Sequence, residues 1–193
     1  MVPTLLPGDQ LFVIKSSPAG NWTRGDVVVF RGPGESGIEP FYSVAKRGLQ
    51  VIMGLGTPEQ TGKAWVMRII AVGGDTVEIR DRQILVNGQA YAQAPCEQST
   101  TFRSSECLVE SLPSGKSYSV LYSTALNERQ EYFPPVRVEA HHLYLLGDNR
   151  DNSFDSRYFG QVSDDRVAGR AVVIWFSYSE ADFIRWGRMG LQL

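Results

Sequence analysis

Short apolar runs recur along the chain, rich in β-branched residues and each bounded by Gly, Pro, Asn or Asp. "QLFVIK" (Gln10–Lys15), "GDVVVF" (Gly25–Phe30), "WVMRIIAV" (Trp65–Val72), "DTVEIR" (Asp75–Arg80) and "QILVNG" (Gln83–Gly88) form a first group. "YSVLYS" (Tyr118–Ser123), "HLYLLG" (His142–Gly147) and "GRAVVIWFS" (Gly169–Ser177) form a second. Runs of this length and composition predict strands. "RDR" at Arg80–Arg82 joins two of them as a tight hairpin. No long segment carries the helical period, and only Glu39–Leu55 has room for a short helix. The pattern predicts an all-β protein with mostly antiparallel pairing.

Two polar excursions interrupt the strands. The first covers about 32–62 and opens in the flexible "RGPGESG" of Arg31–Gly37. The second covers about 89–140, carries both cysteines and includes Pro134–Pro135. Apolar strands lie on either side of it. The expected organisation is a continuous β core of 1–88 and 141–193, with 89–140 inserted as a smaller β-containing second domain.

The length of 193 residues suits one domain, or one domain with a sizeable insertion. Hydrophobic residues at 42% and charged residues at 21% are ordinary for a globular chain, enough for a real core. A net charge of −2 points to no nucleic-acid partner. "LQVIMGLG" (Leu49–Gly56) falls far short of the ~20 apolar residues that span a bilayer. Pro3, Pro7 and Asp9 are foreign to a signal peptide. The chain as given is therefore expected to be soluble or peripheral. Cys96 and Cys107 leave two readings open, a disulfide of an oxidising compartment or two unpaired thiols.

Candidate chemistry concentrates in three stretches. "GDNRDNSFDSRYFG" (Gly147–Gly160) packs acids, arginines, Asn and Ser directly behind an apolar strand. Such side chains bond nearby backbone, and Arg–Asp pairs can lock a loop. A solvated turn is the plainer reading. A calcium loop is a third, although the Gly and Glu spacing of such loops is absent. The second stretch, "MVPTLLPGDQLFVIK" (Met1–Lys15), reads as a turn leading into the sheet. The third is the strand at Trp65–Val72, where Met67 and Ile69 share one face while Val66, Arg68 and Ile70 share the other. An arginine in an apolar strand requires a carboxylate, which the Asp148–Asp155 loop can supply.

Together these stretches resemble the bacterial type I signal peptidases over nearly the whole chain. "MVPTL" (Met1–Leu5) matches the family's Ser-Met-x-Pro-Thr-Leu except for its first residue. "RGDVVVF" (Arg24–Phe30) matches Arg-Gly-Asp-[hydrophobic]-Val-x-Phe. "MRIIAVGGD" (Met67–Asp75) matches the Lys-Arg box with changes: Met67 for Lys, Ala71 for Gly and Gly73 for Pro. Gly147–Arg157 matches the family's Gly-Asp-Asn…Ser-x-Asp-Ser-Arg without a gap, and "GRAVVIWFS" resembles its last core strand.

The resemblance implies a catalytic β core with an inserted second domain, and a serine endopeptidase acting through a Ser/Lys dyad. A lysine is a general base only when burial keeps its amine neutral. The free amine then takes the serine proton, and backbone N–H plus a nearby hydroxyl hold the oxyanion. On this chain the nucleophile would precede Met1, together with an oxyanion-hole hydroxyl and a membrane anchor. The base position is Met67, whose thioether is no useful proton acceptor. Ser153 matches the serine that orients the base. Arg68, Asp148, Asp155 and Arg157 match the charged scaffold of the loop. Met1, Leu5, Trp65 and Val66 match positions near shallow substrate pockets, with core or membrane contact as their plainer role. Lys15, Lys46, Lys63 and Lys116 are the chain's other amines. Lys63 lies on the Met67 face but ~13 Å along the strand. His141 and His142 precede a strand, where a structural or exposed role is expected.

Two functional expectations follow. One is a signal peptidase catalytic region, inactive in this form, that would cleave exported preproteins after small residues of the Ala-x-Ala type. The other is a pseudopeptidase that receives extended peptides as an added strand or regulates an active partner. The resemblance implies no cofactor and no metal. It implies signal peptides and a membrane surface as partners, and a place on the periplasmic face of the bacterial inner membrane. It also favours a Cys96–Cys107 disulfide, since some members carry one in the second domain. Trp175, Phe176 and Trp186 are candidates for contact with the membrane surface, with core packing the alternative for the first two.

Overall fold

A computed structural model describes residues 1–15, 21–32, 64–97, 105–124, 132–181 and 183–193. The possible helix in Glu39–Leu55, most of the first excursion, and Lys46 and Lys63 lie outside the described residues. The strands in chain order begin with β1 (Asp9–Lys15), β2 (Val27–Arg31), β3 (Ala64–Val72), β4 (Thr76–Arg80) and β5 (Gln83–Val86). Next come β6 (Gln89–Ala90), β7 (Ala92–Pro95), β8 (Ser105–Ser111), β9 (Ser117–Ser123) and β10 (Tyr132–Arg137). The chain closes with β11 (His142–Leu146), β12 (Val162–Ser163), β13 (Val167–Ser179) and β14 (Phe183–Ile184). Every ladder between these described strands is antiparallel, so the chain is the mostly antiparallel all-β protein its patterning predicts. The only α-helix among the described residues is α1 (Ser156–Phe159).

The largest sheet has the order β1-β13-β2-β3-β11-β12, with β14 added to β13. A second sheet runs β10-β4-β5-β6, and a third runs β7-β8-β9. The hairpin between β4 and β5 turns at Asp81 and Arg82, both at positive φ, as a two-residue turn of primed type requires. The 89–140 segment does not stand apart as a single sheet. It supplies β6 and β10 to the sheet of β4 and β5, and all of the third sheet.

Strands β6, β7, β8, β10, β12 and β14 escape the sequence reading. β10 does so because "YFPPVR" places two prolines in its middle. Proline cannot donate to a ladder, and here the pairing skips both residues at a register shift on an edge strand.

The apolar faces meet in three clusters. Ile70, Val77, Ile84, Tyr91, Val120 and Leu146 belong to one that joins the second and third sheets to the first. Val28, Phe30, Met67, Ile69, Leu143 and Leu145 form another on one face of the main sheet. Val27, Val29 and Ala171 line the opposite face, covered by Met1, Leu11, Val13, Ala64, Val66 and Leu193. The two faces of β2 and of the Ala64–Ile69 part of β3 thus separate by the two-residue period.

Candidate active site

Strand β3 organises the site. Trp65, Met67 and Ile69 belong to one apolar cluster, while Ala64 and Val66 pack on the other face beside Met1. The alternation read from the sequence holds here, and it puts Met67 and Arg68 on opposite sides. Met67 is 5% exposed. It packs in an apolar cluster with Val28, Phe30, Ile69, Leu143 and Leu145.

Arg68 faces the other way and is almost fully buried, as is Asp148. Its Nε and Nη2 donate to the two Asp148 carboxylate oxygens at 2.9 and 2.8 Å, a bidentate pair. Nη1 donates to the Gly25 carbonyl at 2.8 Å. Thr4 completes the group, accepting from Arg68 Nη2 at 3.2 Å and donating through its hydroxyl to Asp148. The guanidinium also lies over the Tyr118 ring, 4.0 Å from its centroid. Burial disfavours the charge of Arg68, but Asp148 outweighs that and lifts its pKa above the usual arginine value. Burial pushes the Tyr118 hydroxyl well above its usual pKa.

The Gly147–Gly160 loop is built, not merely solvated. A 3₁₀ turn at Arg150–Asn152 and α1 divide it. Asp155 caps α1 and is bound by Arg157 through Nε and Nη2, both at 2.8 Å. Asp155 also accepts from the Gly147 N–H at 3.2 Å, tying the two ends of the loop together. Asp151 accepts from the Ser123 N–H at 2.8 Å. The carboxylates considered for calcium are thus engaged by guanidinium and backbone donors. Among the described residues no three His, Cys, Asp or Glu side chains gather as a metal site.

A glycine at 147 gives the loop its shape. A Cβ there would collide with the side chain of Ser153. Gly147 follows Leu146, which pairs with Arg68, so the same register carried one residue further sets Gly147 against Met67. Leu143 and Leu145 lie in the Met67 cluster, and Gly147 continues their alternation onto that face. The Ser153 hydroxyl fills this space. The structure therefore brings Ser153 to the Met67 side of the sheet. Of the residues matched to substrate pockets, Met1 and Val66 share one face and Trp65 lies on the other. Leu5 is tied to Met1 by its N–H, which donates to the Met1 carbonyl at 2.9 Å.

The sequence reading missed the partner of Arg150. Arg150 and Glu110 on β8 are both buried, joined by bonds of 2.5 and 2.6 Å. Arg150 also donates to the Tyr122 hydroxyl at 3.2 Å. The Leu121 N–H donates to the Asp148 carbonyl at 2.8 Å, so the third sheet holds the loop at several points. The only signal in sequence was an unassigned Arg in the loop and a Glu in "SECLVES" (Ser105–Ser111). Arg24 of the second box pairs with Asp75 of the third at 2.8 and 2.5 Å. Burial raises the Asp75 pKa, but Arg24, the Val72 N–H and Asn87 outweigh it and leave the carboxyl below its usual value.

The described lysines and histidines lie elsewhere. Lys116 donates to Asp26 at 2.7 Å, and Lys15 ends β1 opposite Gly169. His141 is exposed, 3.5 Å from Asp164, and His142 Nδ1 lies 3.0 Å from the Ala140 carbonyl. Cys96 and Cys107 are joined as a disulfide, with Cα atoms 5.5 Å apart.

The buried Arg68–Asp148 pair thus anchors a serine-bearing loop on the largest antiparallel sheet. The model of the family "Signal peptidase, peptidase S26" matches residues 1–176. The chain belongs to this family. Signal peptidase I of Pseudomonas aeruginosa is 28% identical, over 93% of this chain and 63% of the relative. Signal peptidase I T of Bacillus subtilis is 27% identical, over 93% of this chain and 71% of its own length. The chain spans about 63% of the length of the Pseudomonas relatives. A crystal structure of a signal peptidase I from Enterococcus faecalis is 22% identical, covers 78% of this chain and 97% of its own, and superposes with a TM-score of 0.41.

Proposed function

We propose that this chain is the catalytic region of a type I signal peptidase whose base position is filled by Met67. It receives extended peptides with small side chains but does not cleave them in this form. The supporting observation is the Met67 slot. The methionine is 5% exposed, and on the same face the Ser153 hydroxyl stands at the matching end of the strand. Methionine keeps the volume of a lysine and deletes its amine. In this reading Met67 holds the place of the general base and Ser153 that of the residue that orients it. Arg68, Asp148, Asp155 and Arg157 hold the loop, and Met1, Leu5, Trp65 and Val66 border the peptide. Residues 89–140 act as an inserted module that braces the loop.

The intact framework favours a second, compatible reading, a pseudopeptidase that retains peptides or modulates an active partner. Fluorescence anisotropy with a labelled signal-type peptide carrying Ala-x-Ala tests both. Saturable binding with the peptide recovered uncut is expected. Absence of binding sinks the peptide reading, and cleavage sinks the inactive one.

We further propose that the molecule works at the periplasmic face of the inner membrane. Trp186 at 72% exposure, Phe183 at 69%, Phe12 at 56% and Ile14 at 54% lie on β1, β14 and the turn after it, next to Trp175 on β13. Exposed aromatic side chains of this kind favour the bilayer interface. Cosedimentation with anionic phospholipid vesicles is expected to retain the chain. Trp186→Ser with Phe183→Ser is expected to lower the bound fraction severalfold. Equal retention of the two proteins removes this surface from the account.

A further inference from the structure

Within the described residues, β3 has an open edge. Its Ala64–Arg68 half pairs with β2, and its Arg68–Val72 half pairs with β11. The ladder of β11 ends at Leu146, so the far edge of Ala64–Met67 has no strand partner among the described residues. A peptide strand added there places successive side chains on alternate faces. Residues opposite Val66 reach the side that holds Met1. Residues opposite Trp65 reach the other side.

That other side carries an aromatic wall. Trp65, Phe154 and Phe159 form a triangle with ring centroids 6.3, 5.9 and 5.6 Å apart. Tyr158 stacks on Phe154 at 5.8 Å with an interplanar angle of 11°. Phe154 is 57% exposed and Tyr158 53%, although both belong to a loop whose polar side chains are largely buried. The loop pins its backbone firmly through Asp155, Ser156 and Arg157, yet leaves these rings facing outward.

We propose that Phe154 is a specificity-determining residue. The wall of Trp65, Phe154 and Tyr158 takes a bulky apolar or aromatic side chain at the middle position of an Ala-x-Ala peptide. The two small residues face Met1 and Val66, and the middle residue stacks on Phe154. This inference rests on the peptide reading above and refines it. A site with only small pockets is indifferent to the middle residue, because that side chain would point into water.

The test uses the full chain and two labelled peptides, identical except for Ala-Phe-Ala or Ala-Gly-Ala. One ring–ring contact corresponds to a preference of about tenfold for the phenylalanine peptide. Phe154→Ala is expected to reduce that ratio to about one, and Phe154→Tyr to keep it. Phe154 is exposed, so the variant folds, and its melting temperature checks this. Equal affinities for the two peptides in the native chain overturn the wall while leaving the peptide reading intact. A preference that survives Phe154→Ala overturns the role of Phe154. Failure of both peptides to bind overturns the peptide reading and this inference with it.

Discussion

Asp148→Ala and Arg68→Met will each destabilise the fold by about 3–5 kcal/mol, measured by urea unfolding. Each substitution leaves the other partner buried without its counter-charge. Arg68 is 3% exposed and Asp148 0%, so water cannot replace the lost bonds. After Asp148→Ala the guanidinium would keep only the Gly25 carbonyl, the Thr4 hydroxyl and the Tyr118 ring. The loss is a large part of the roughly 5–15 kcal/mol that holds a domain folded. Arg68→Met combined with Asp148→Leu will recover much of it, because an apolar pair carries no desolvation cost. The surface pair Arg80–Glu78 is the control, with its arginine 59% exposed, and Glu78→Gln will change stability by less than about 1 kcal/mol. Losses under about 1 kcal/mol for both buried variants would show that the pair is hydrated and not the anchor of the loop.

That anchor was legible in the sequence because it broke a pattern. Arg68 stands in an apolar strand, and the densest polar stretch of the chain is the loop that binds it. The same logic read the strand faces, since β-branched runs with period two leave little choice. Glu110–Arg150 was not legible. Its residues are 40 positions apart, and Glu110 sits in a run whose polar residues disguise a strand. Whether a carboxylate is exposed or buried depends on which sheet lies over it, and no local pattern encodes that. β10 was hidden by its prolines, which an edge strand tolerates. The aromatic wall was hidden differently: Phe154 looks like an ordinary loop residue until the turn of α1 stacks Tyr158 on it. The boxes that carry the family resemblance lie far apart in the chain, and the fold joins them through Arg24–Asp75 and Arg68–Asp148.

Met67→Lys will create a general base. The new amine would lie among Val28, Phe30, Ile69 and Leu145, with Trp65 beside it. Such walls disfavour the charged form and lower a lysine pKa by up to several units. Asp148 offers no counter-charge, because it binds Arg68 on the opposite side of β3. The neutral amine can then accept the proton of a serine reaching it round the open edge of β3. Loss or gain of an activating base changes cleavage by about 10⁴-fold or more. The substitution also has a signature in stability. Between its lowered folded value and the ordinary lysine value of about 10.4, the folded chain would bind fewer protons than the unfolded chain. Its stability therefore rises with pH toward that value, by at most about 1.4 kcal/mol per pH unit, while the Met67 chain lacks this slope.

The most direct measurement is the initial rate of cleavage of an Ala-x-Ala peptide by the chain extended upstream to carry serine before Met1. The Met67 protein and Met67→Lys are assayed side by side. The account predicts no cleavage above background with Met67, and turnover in Met67→Lys that falls sharply when Ser153→Ala is added. Cleavage by the Met67 protein itself, at a rate comparable to Met67→Lys, would contradict it.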